Sequence, residues 1–371
     1  MDSLSVGFTA KTLHFLRVTL MLICAAGLSA CNREPAQIML EEYAASMSTV
    51  LETPVELDLA AAMLDFPALP ARRERILPTP DIREGMLEVW DFQQCGMMPL
   101  IAERNTTLGK VMLPSQKMVY ELRFLAALQQ CRNKMQQIDQ PTQQEQDFIR
   151  RLKAIQALKQ RYLPAEIWNG IYTSEEVSQH FALGKSPLTP QAASPANELQ
   201  ALEQLQTLAK LATADPLQLP DWLAQLEDQY FALYSSQFGA ELLPALRITT
   251  QTLDRTAAAI EQRLQRAPFC HQGHRPRRAE ILHNIFQQYY AGQVQPYMAQ
   301  LQREGQHWLR THQQIMQQLP VPPALRVWQQ QVIAPEAPDS LWQQWQQASR
   351  RHTQAWQDIL GQCGMMPGQG E

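Results

Sequence analysis

From Ala36 onward apolar side chains recur every three or four residues and almost never alternate one by one, so the dominant period is that of a helix. The spacing predicts an all-α chain, with helices over 36–52, 82–95, 100–109, 115–133, 143–162, 175–183, 195–212, 221–238, 241–266, 278–319, 323–333 and 340–362. Toward the C-terminus the period tightens to heptads. Val294, Met298, Leu301, Gly305, Trp308, His312, Ile315 and Leu319 alternate spacings of four and three, and Leu341, Trp345, Ala348, His352, Trp356 and Ile359 form a second seam. These two long helices are expected to pack along their length, with Gly305 leaving room for a large neighbour. The architecture expected is an elongated antiparallel helical bundle with long, coiled-coil-like C-terminal helices.

Two segments interrupt the pattern. Residues 66–80 read F-P-A-L-P-A-R-R-E-R-I-L-P-T-P, too rich in proline for a helix or a central strand, and are expected as an extended arm laid across the body. Residues 184–194, G-K-S-P-L-T-P-Q-A-A-S, are expected as a loop or hinge between an N-terminal helical unit (31–183) and a C-terminal one (195–371). Thr173 with Glu176 three residues on fits a capping box, and Ser194 before Pro195 fits a hydroxyl cap ahead of a first-turn proline.

The first thirty residues follow other rules. Lys11 and Arg17 precede an apolar run from Val18 to Leu28, too short for a permanent transmembrane helix, and small residues follow. Residues 1–30 are therefore expected as a signal peptide. The run closes on Leu28-Ser29-Ala30-Cys31, which resembles the lipobox of bacterial lipoproteins at all four positions. That resemblance implies acylation of Cys31, and three chains at about 0.8 kcal/mol per buried methylene would hold the body permanently at a membrane. Asn32 stands where the lipoprotein sorting rule uses Asp for inner-membrane retention, so the periplasmic face of the outer membrane is the expected address.

Composition changes the picture in one respect. The chain has 49 Gln but only eight Lys among 371 residues, with a net charge of −4, so its solubility rests on neutral amides. A chain without a Lys-rich stripe is not suited to sequence-independent nucleic-acid binding, which needs several phosphate-neutralising cations on one face.

Once Cys24 leaves with the signal peptide and Cys31 is acylated, Cys95, Cys131, Cys270 and Cys363 remain, an even number for an oxidising compartment. Helix lengths constrain their pairing. The helix over 278–319 climbs about 62 Å and the two that follow return about 50 Å, which brings Cys363 back near Cys270. A shorter excursion brings Cys131 toward Cys95. Two disulfides, Cys95–Cys131 and Cys270–Cys363, are expected, each stabilising by about 3.5 to 4.7 kcal/mol. The hexapeptide Q-C-G-M-M-P occurs at 94–99 and again at 362–367. It reads as a helix stop: Gly at the left-handed position, Met at the next apolar contact, then Pro to prevent continuation.

The run D-F-Q-Q-C, then L-I-A-E-R-N-T-T-L-G-K-V-M, then P-S-Q-K-M-V-Y-E-L-R-F-L-A-A-L-Q-Q-C, with F-P-A-L-P-A-R-R-E-R before it and the late Cys-Gly, resembles an uncharacterised domain-of-unknown-function family of gammaproteobacterial lipoproteins. The resemblance implies a compartment and an extent, most of the mature chain, and no activity.

Glu103, Arg104, Asn105, Thr106 and Lys110 form the densest run of distinct polar types and are the candidate polar patch. Glu103 as a general acid would need a second carboxylate or a sugar cleft, and neither is visible in the sequence. Cys270, His271, His274 and His283 imitate a metal cluster, but a disulfide removes the sulfur. His312 and His352 on the seams read as buried core histidines, and Trp328, Trp342, Trp345 and Trp356 as core packing before a ligand cleft. Arg72, Arg73 and Arg75, and Arg275, Arg277 and Arg278, are short basic groups suited to lipid phosphates or to solvated faces. No catalytic residue, metal or cofactor is expected. The function expected is a non-enzymatic, lipid-anchored periplasmic scaffold or accessory subunit with a membrane and an envelope protein as partners, in an oligomeric state the sequence leaves open. The alternatives are an envelope hydrolase of glycan or lipid centred on Glu103, and a carrier of an apolar ligand.

Overall fold

Burial decides where the helices of this chain continue past a proline. The computed structural model describes residues 34–80, 89–271 and 275–367; the signal peptide expected over 1–30, the acylation site Cys31, the start of the helix expected from 82, and His274 lie outside them. The principal helices are α1 (Pro35–Leu51), α2 (Met98–Asn105), α3 (Pro114–Met135), α4 (Gln143–Tyr172), α5 (Ala196–Lys210), α6 (Leu226–Ser236), α7 (Phe238–Arg266), α8 (Arg277–Ile285), α9 (Gln295–Gln318), α10 (Arg326–Val332) and α11 (Leu341–Gln362). Among the described residues there is no strand, and no helix is long and apolar enough to cross a membrane. The chain is all-α, as its periodicity predicts.

The helix expected over 100–109 is split into α2 and the turn Thr107–Lys110, and that over 221–238 starts as a 3-10 turn Asp221–Gln225 before α6. That over 175–183 ends at Gln179, and the described part of that over 82–95 is mainly the 3-10 turn Asp91–Cys95. Three further departures involve helices that contain a proline. α4 runs ten residues past Tyr162 and carries Pro164 in its interior, because Leu163, Ile167, Trp168, Ile171 and Tyr172 on that last stretch are all buried. Burial of five large side chains, at about 1.5–3 kcal/mol each, outweighs the roughly 3 kcal/mol an interior proline costs. α7 likewise starts at Phe238 and absorbs Pro244. The long helix expected over 278–319 is instead α8, a π-helical segment Phe286–Val294, and α9. Pro296 lies in the first turn of α9 and has no N–H to donate, and the wider π turns just before it realign the backbone.

Caps also differ from their expected residues. Ser174, not Thr173, caps the short helix Glu175–Gln179 by accepting from Val177 N–H (3.3 Å). Thr173 ends α4 and donates back to Asn169 O (2.7 Å). Pro195 itself is the N-cap of α5, without a side-chain cap.

The two heptad seams are buried, but they do not pair with each other along their length. α11 lies beside α7, and α9 lies beside α5. The chain runs down α7, away along α8 and α9, and back along α11, so α7 and α11 are parallel. Arg247 meets Gln344 and Asp254 meets Arg351, a constant offset of 97 (344 − 247 and 351 − 254). Seam residues of α9 instead cross α11 locally. A Cβ on Gly305 would sit 2.9 Å from Trp342 Cη2 and 3.3 Å from Leu242 Cδ1. A Cβ on Gly239, at the start of α7, would sit 2.5 Å from His180 O and 2.9 Å from Trp308 Cζ2. Gly305→Ala should cost about 1–3 kcal/mol from overpacking, partly offset by roughly 1 kcal/mol of helix propensity. Gly239→Ala should cost more, since a backbone carbonyl cannot rotate away and the first turn gains little propensity. Urea unfolding of the two variants checks the order; an equal or smaller loss for Gly239→Ala would contradict this packing.

Among the described residues the buried apolar side chains form two clusters. The larger runs from Ala36 to Met365 and draws on both sides of the 184–194 loop. That loop is fastened to the body: Leu188 N–H donates to Glu241 O (2.9 Å), Tyr297 Oη donates to Leu188 O (2.5 Å), and Gln191 N–H donates to Gln300 Oε1 (3.0 Å). The smaller cluster, around Phe92, Met97, Phe124, Leu128, Phe148 and Leu152, sits at the far end of the α3/α4 hairpin.

Residues 66–80 run from α7 to that hairpin and contain one helical turn, Arg72–Arg75. Arg72 Nε donates to Thr173 O (2.9 Å), and buried Arg75 donates to Tyr172 O and to Ser178 Oγ. Tyr172 O and Thr173 O are orphan carbonyls of the α4 C-terminus, where the helix dipole favours cations. Arg75 is therefore turned inward and does not face lipid phosphate, while Arg72 stays exposed with its Nε bound to Thr173 O. Burial lowers the Arg75 pKa to about 10. Arg275 is similarly used, donating to Cys363 O (3.1 Å) and Gly364 O (2.6 Å).

Both disulfides form as expected, Cys95–Cys131 and Cys270–Cys363, each with Cα atoms 5.2 Å apart. The repeated hexapeptide stops both preceding turns in the same way. Gly96 and Gly364 have φ of +71° and +60°, and Met97 N–H and Met365 N–H reach back to Phe92 O (3.2 Å) and Leu360 O (2.9 Å).

Candidate functional site

The residues of α7 and α11 repeat their polar types every seven positions: Arg247, Asp254 and Glu261 on one helix, Gln344, Arg351 and Asp358 on the other. In two parallel helices such stripes face each other, and the register sets which charges meet. Arg351 Nε and Nη2 donate to Glu261 Oε1 (2.8 Å) and Oε2 (2.7 Å), and its Nη1 donates to Asp254 Oδ1 (2.5 Å). This fork holds the Glu261 carboxyl below its ordinary pKa, and the hydrogen bonds to Glu261 hold Arg351 above its own. The two helices are thus clasped across one wall.

Above the clasp the small side chains Ala61, Ala62 and Ala348 leave space unfilled, and a groove of about 980 Å³ opens. Its roof is the turn Leu59–Ala62 and the residues after it. Asp58 Oδ1 accepts from Ala61 N–H (3.0 Å) to start that turn, and Asp58 N–H donates to Gln251 Oε1 (2.9 Å) of α7. Arg247 lies at the floor with its side chain 13% exposed, donating to Gln344 Oε1 (2.5 Å), while Asp65 Oδ2 stands 3.6 Å from Nη2. Its Nε is buried with no hydrogen-bond partner. Burial lowers the Arg247 pKa, and the neighbouring Asp65 offsets only part of that. Arg255 and Gln347 line the rim with their heads exposed.

The candidate patch of the 103–110 run lies elsewhere, on the surface between α2 and α3. Glu103 is exposed and pairs with Arg123 (3.4 Å). Arg104 donates to Gly109 O, and Thr106 Oγ1 donates to Glu103 O (2.8 Å) while accepting from Gly109 N–H (2.9 Å) to cap the turn Thr107–Lys110. Asn105 and Lys110 are exposed. The density of polar types there is spent on two adjoining helix ends.

A second charged group was not singled out by sequence. Glu121 and Glu166 are buried where α3, α4 and the 66–80 segment meet. Lys159 Nζ donates to Glu121 (2.5 Å), and Lys117 Nζ reaches Glu166 (3.0 Å) and Thr79 Oγ1 (3.2 Å). Burial raises the Glu121 carboxyl, against the pull of Lys159. The space between these side chains, about 10 Å³, is no larger than a single water.

The seam histidines are buried and neutral. Trp356 Nε1 donates to Tyr43 Oη (2.9 Å), which leaves the Tyr43 hydroxyl proton for His352 Nε2 (2.8 Å). Tyr172 Oη pairs with His312 Nδ1 (3.0 Å). Burial holds both imidazoles down to about 3. Trp328, Trp342, Trp345 and Trp356 are likewise buried, their ring N–H groups used where bonds are made by Val332 O, Gln302 Oε1 and Tyr43 Oη.

The sequence matches, over residues 40–367, a family described as a protein of unknown function (DUF3080). No curated protein matches the chain, and no solved structure does.

Proposed function

The chain belongs to this family of unknown function, and we propose that it is a lipid-anchored accessory protein of the periplasmic face of the outer membrane that holds a partner in the groove between α7 and α11, without chemistry of its own. One observation carries this reading. The groove is built before any partner arrives: Arg351 clasps its two walls through Asp254 and Glu261, and Gln251 holds its roof. The groove has a volume of about 980 Å³ and mixes Ala61, Ala62, Leu64 and Ala348 with a few placed polar groups, as binding sites do. The disposition of the carboxylates agrees with binding over catalysis, since Glu121 and Glu166 are each engaged by a lysine and Glu103 stands exposed beside Arg123. The anchor rests on Leu28-Ser29-Ala30-Cys31, and the outer-membrane address on Asn32.

The test is made in cells with the full chain. A benzophenone amino acid at Gln347 should give one discrete, reproducible cross-linked adduct on irradiation, and the same probe at exposed Lys153 of α4 should not. The chain should take up an alkynyl fatty acid and lose the label in Cys31→Ser. No adduct at Gln347, or the same ladder from both positions, would remove the groove's role; an unlabelled chain would remove the anchor.

A further inference from the structure

The unused hydrogen-bonding capacity of the groove has a direction. Asp254 is committed to Arg351, the Gln344 carbonyl accepts from Arg247, its amide donates to Asp339 O (2.8 Å), and the Gln251 carbonyl accepts from Asp58 N–H. The open donors are the guanidinium of Arg255, the N–H groups of Gln251 and Gln347 and the incompletely paired guanidinium of Arg247, with the Gln347 carbonyl as a neutral acceptor beside them. Of the two carboxylates on the lining, Asp254 is bound to Arg351 through Oδ1, and Asp65, whose side chain is 77% exposed, lies 3.6 Å from Arg247, beyond hydrogen-bond length. An arginine so deeply set gains little from a partner in water at that distance, and a carboxylate brought to its Nη atoms would be worth far more.

We infer that the α7/α11 groove is a carboxylate-recognition site for an acidic extended segment of a protein, with Arg247 taking a side-chain carboxylate at the floor and Arg255 taking one at the rim. The inference rests on the groove being the partner site proposed above. A peptide fits better than a glycan. None of the lining residues offers an aromatic face for a sugar ring, whereas Gln251 and Gln347 point amides into the groove, the groups that pair with peptide backbone. Arg351, which also lines the groove, is engaged by Asp254 and Glu261 and so fixes the spacing of the walls that carry Arg247 and Arg255.

The experiment measures fluorescence anisotropy of a labelled peptide of alternating Glu and Gly, binding to the full chain in detergent, beside the same peptide with Gln for Glu. The acidic peptide should bind on the order of tenfold more tightly, with the difference shrinking as salt rises. Arg255→Glu, an exposed change that leaves the core untouched, should remove most of the preference. Arg277→Glu, an equal change of charge on α8, should not. Arg247→Lys, which keeps the charge but loses the fork, should weaken the acidic peptide and leave the neutral one unmoved. Equal binding of the two peptides, no binding of the acidic one, or equal effects of Arg255→Glu and Arg277→Glu would overturn the inference. An adduct at Gln347 alongside equal peptide binding would leave the accessory role standing and remove only its acidic chemistry. Absence of the adduct would remove the role itself.

Discussion

Between pH 7 and pH 4.5 the protein should lose about 5 kcal/mol of unfolding free energy to two histidines alone, a large share of the 5–15 kcal/mol that holds a typical domain. His312 and His352 are fully buried and held down to about 3, while in an unfolded chain each would titrate near 6.5. The sign follows from proton counts. Below pH 6.5 the unfolded chain binds protons that the folded one refuses, so stability is complete above that pH and drains away as pH falls toward 3. Each site contributes a slope of about 1.4 kcal/mol per pH unit in that window. His180, also lowered by burial, adds in the same direction. Glu121, Glu241 and Glu304 are raised by burial and return part of the loss as they protonate. The histidine share is separable by substitution. His352→Gln keeps a carbonyl to accept from Tyr43 but cannot titrate, so urea unfolding repeated from pH 6 to pH 4.5 should show its slope shallower by about 1.4 kcal/mol per pH unit. Parallel pH profiles for the parent and the variant would show that His352 is not buried neutral as the structure places it.

Much of the architecture that creates those sites can be read from sequence, and the reason is that burial writes itself in period. The seam positions His312, Trp308, His352 and Trp356 fall at helical spacing because one face of each helix must meet the core, and all are buried. The disulfide partners are legible for a related reason, since helix length is set by residue count and the excursion between Cys270 and Cys363 has to close. Proline is where this kind of inference stops. The helix expected to end at Tyr162 continues through Pro164 because its neighbours are buried, whereas the helix expected to run unbroken through Pro296 turns π-helical just before it. The groove is harder still, because it depends on register between two helices about a hundred residues apart in sequence. The heptad repeat of Arg247, Asp254 and Glu261 was a visible signal, but only the parallel offset of 97 shows that Arg351 answers two of those residues and leaves Arg247 half-paired. Conversely, the polar run at 103–110 is conspicuous in sequence because helix caps use the same residue types that sites use.

Removing the Cys270–Cys363 bond should be the more damaging of the two possible disulfide deletions. It closes a loop with a sequence separation of 93, against 36 for Cys95–Cys131. Chain entropy then assigns about 4.6 kcal/mol to the first and about 3.8 kcal/mol to the second. That difference is small, and the surroundings widen it. Cys270 and Cys363 lie in the main core at the joined ends of α7 and α11, where Gln362 Oε1 accepts from Phe269 N–H and Cys270 N–H and Arg275 holds Cys363 O. Loosening that end frees the parallel pair on which the groove is built. Cys95 and Cys131 belong to the small cluster at the far end of the α3/α4 hairpin, which can open without disturbing α7 or α11. The double variant Cys270→Ala/Cys363→Ala should therefore lower the main thermal transition by on the order of 6 °C. Cys95→Ala/Cys131→Ala should chiefly speed amide exchange and proteolysis within 90–135. Should the second pair move the main transition as far as the first, the two clusters unfold as one unit, and the groove's stability would depend on the hairpin's far end as much as on its own clasp.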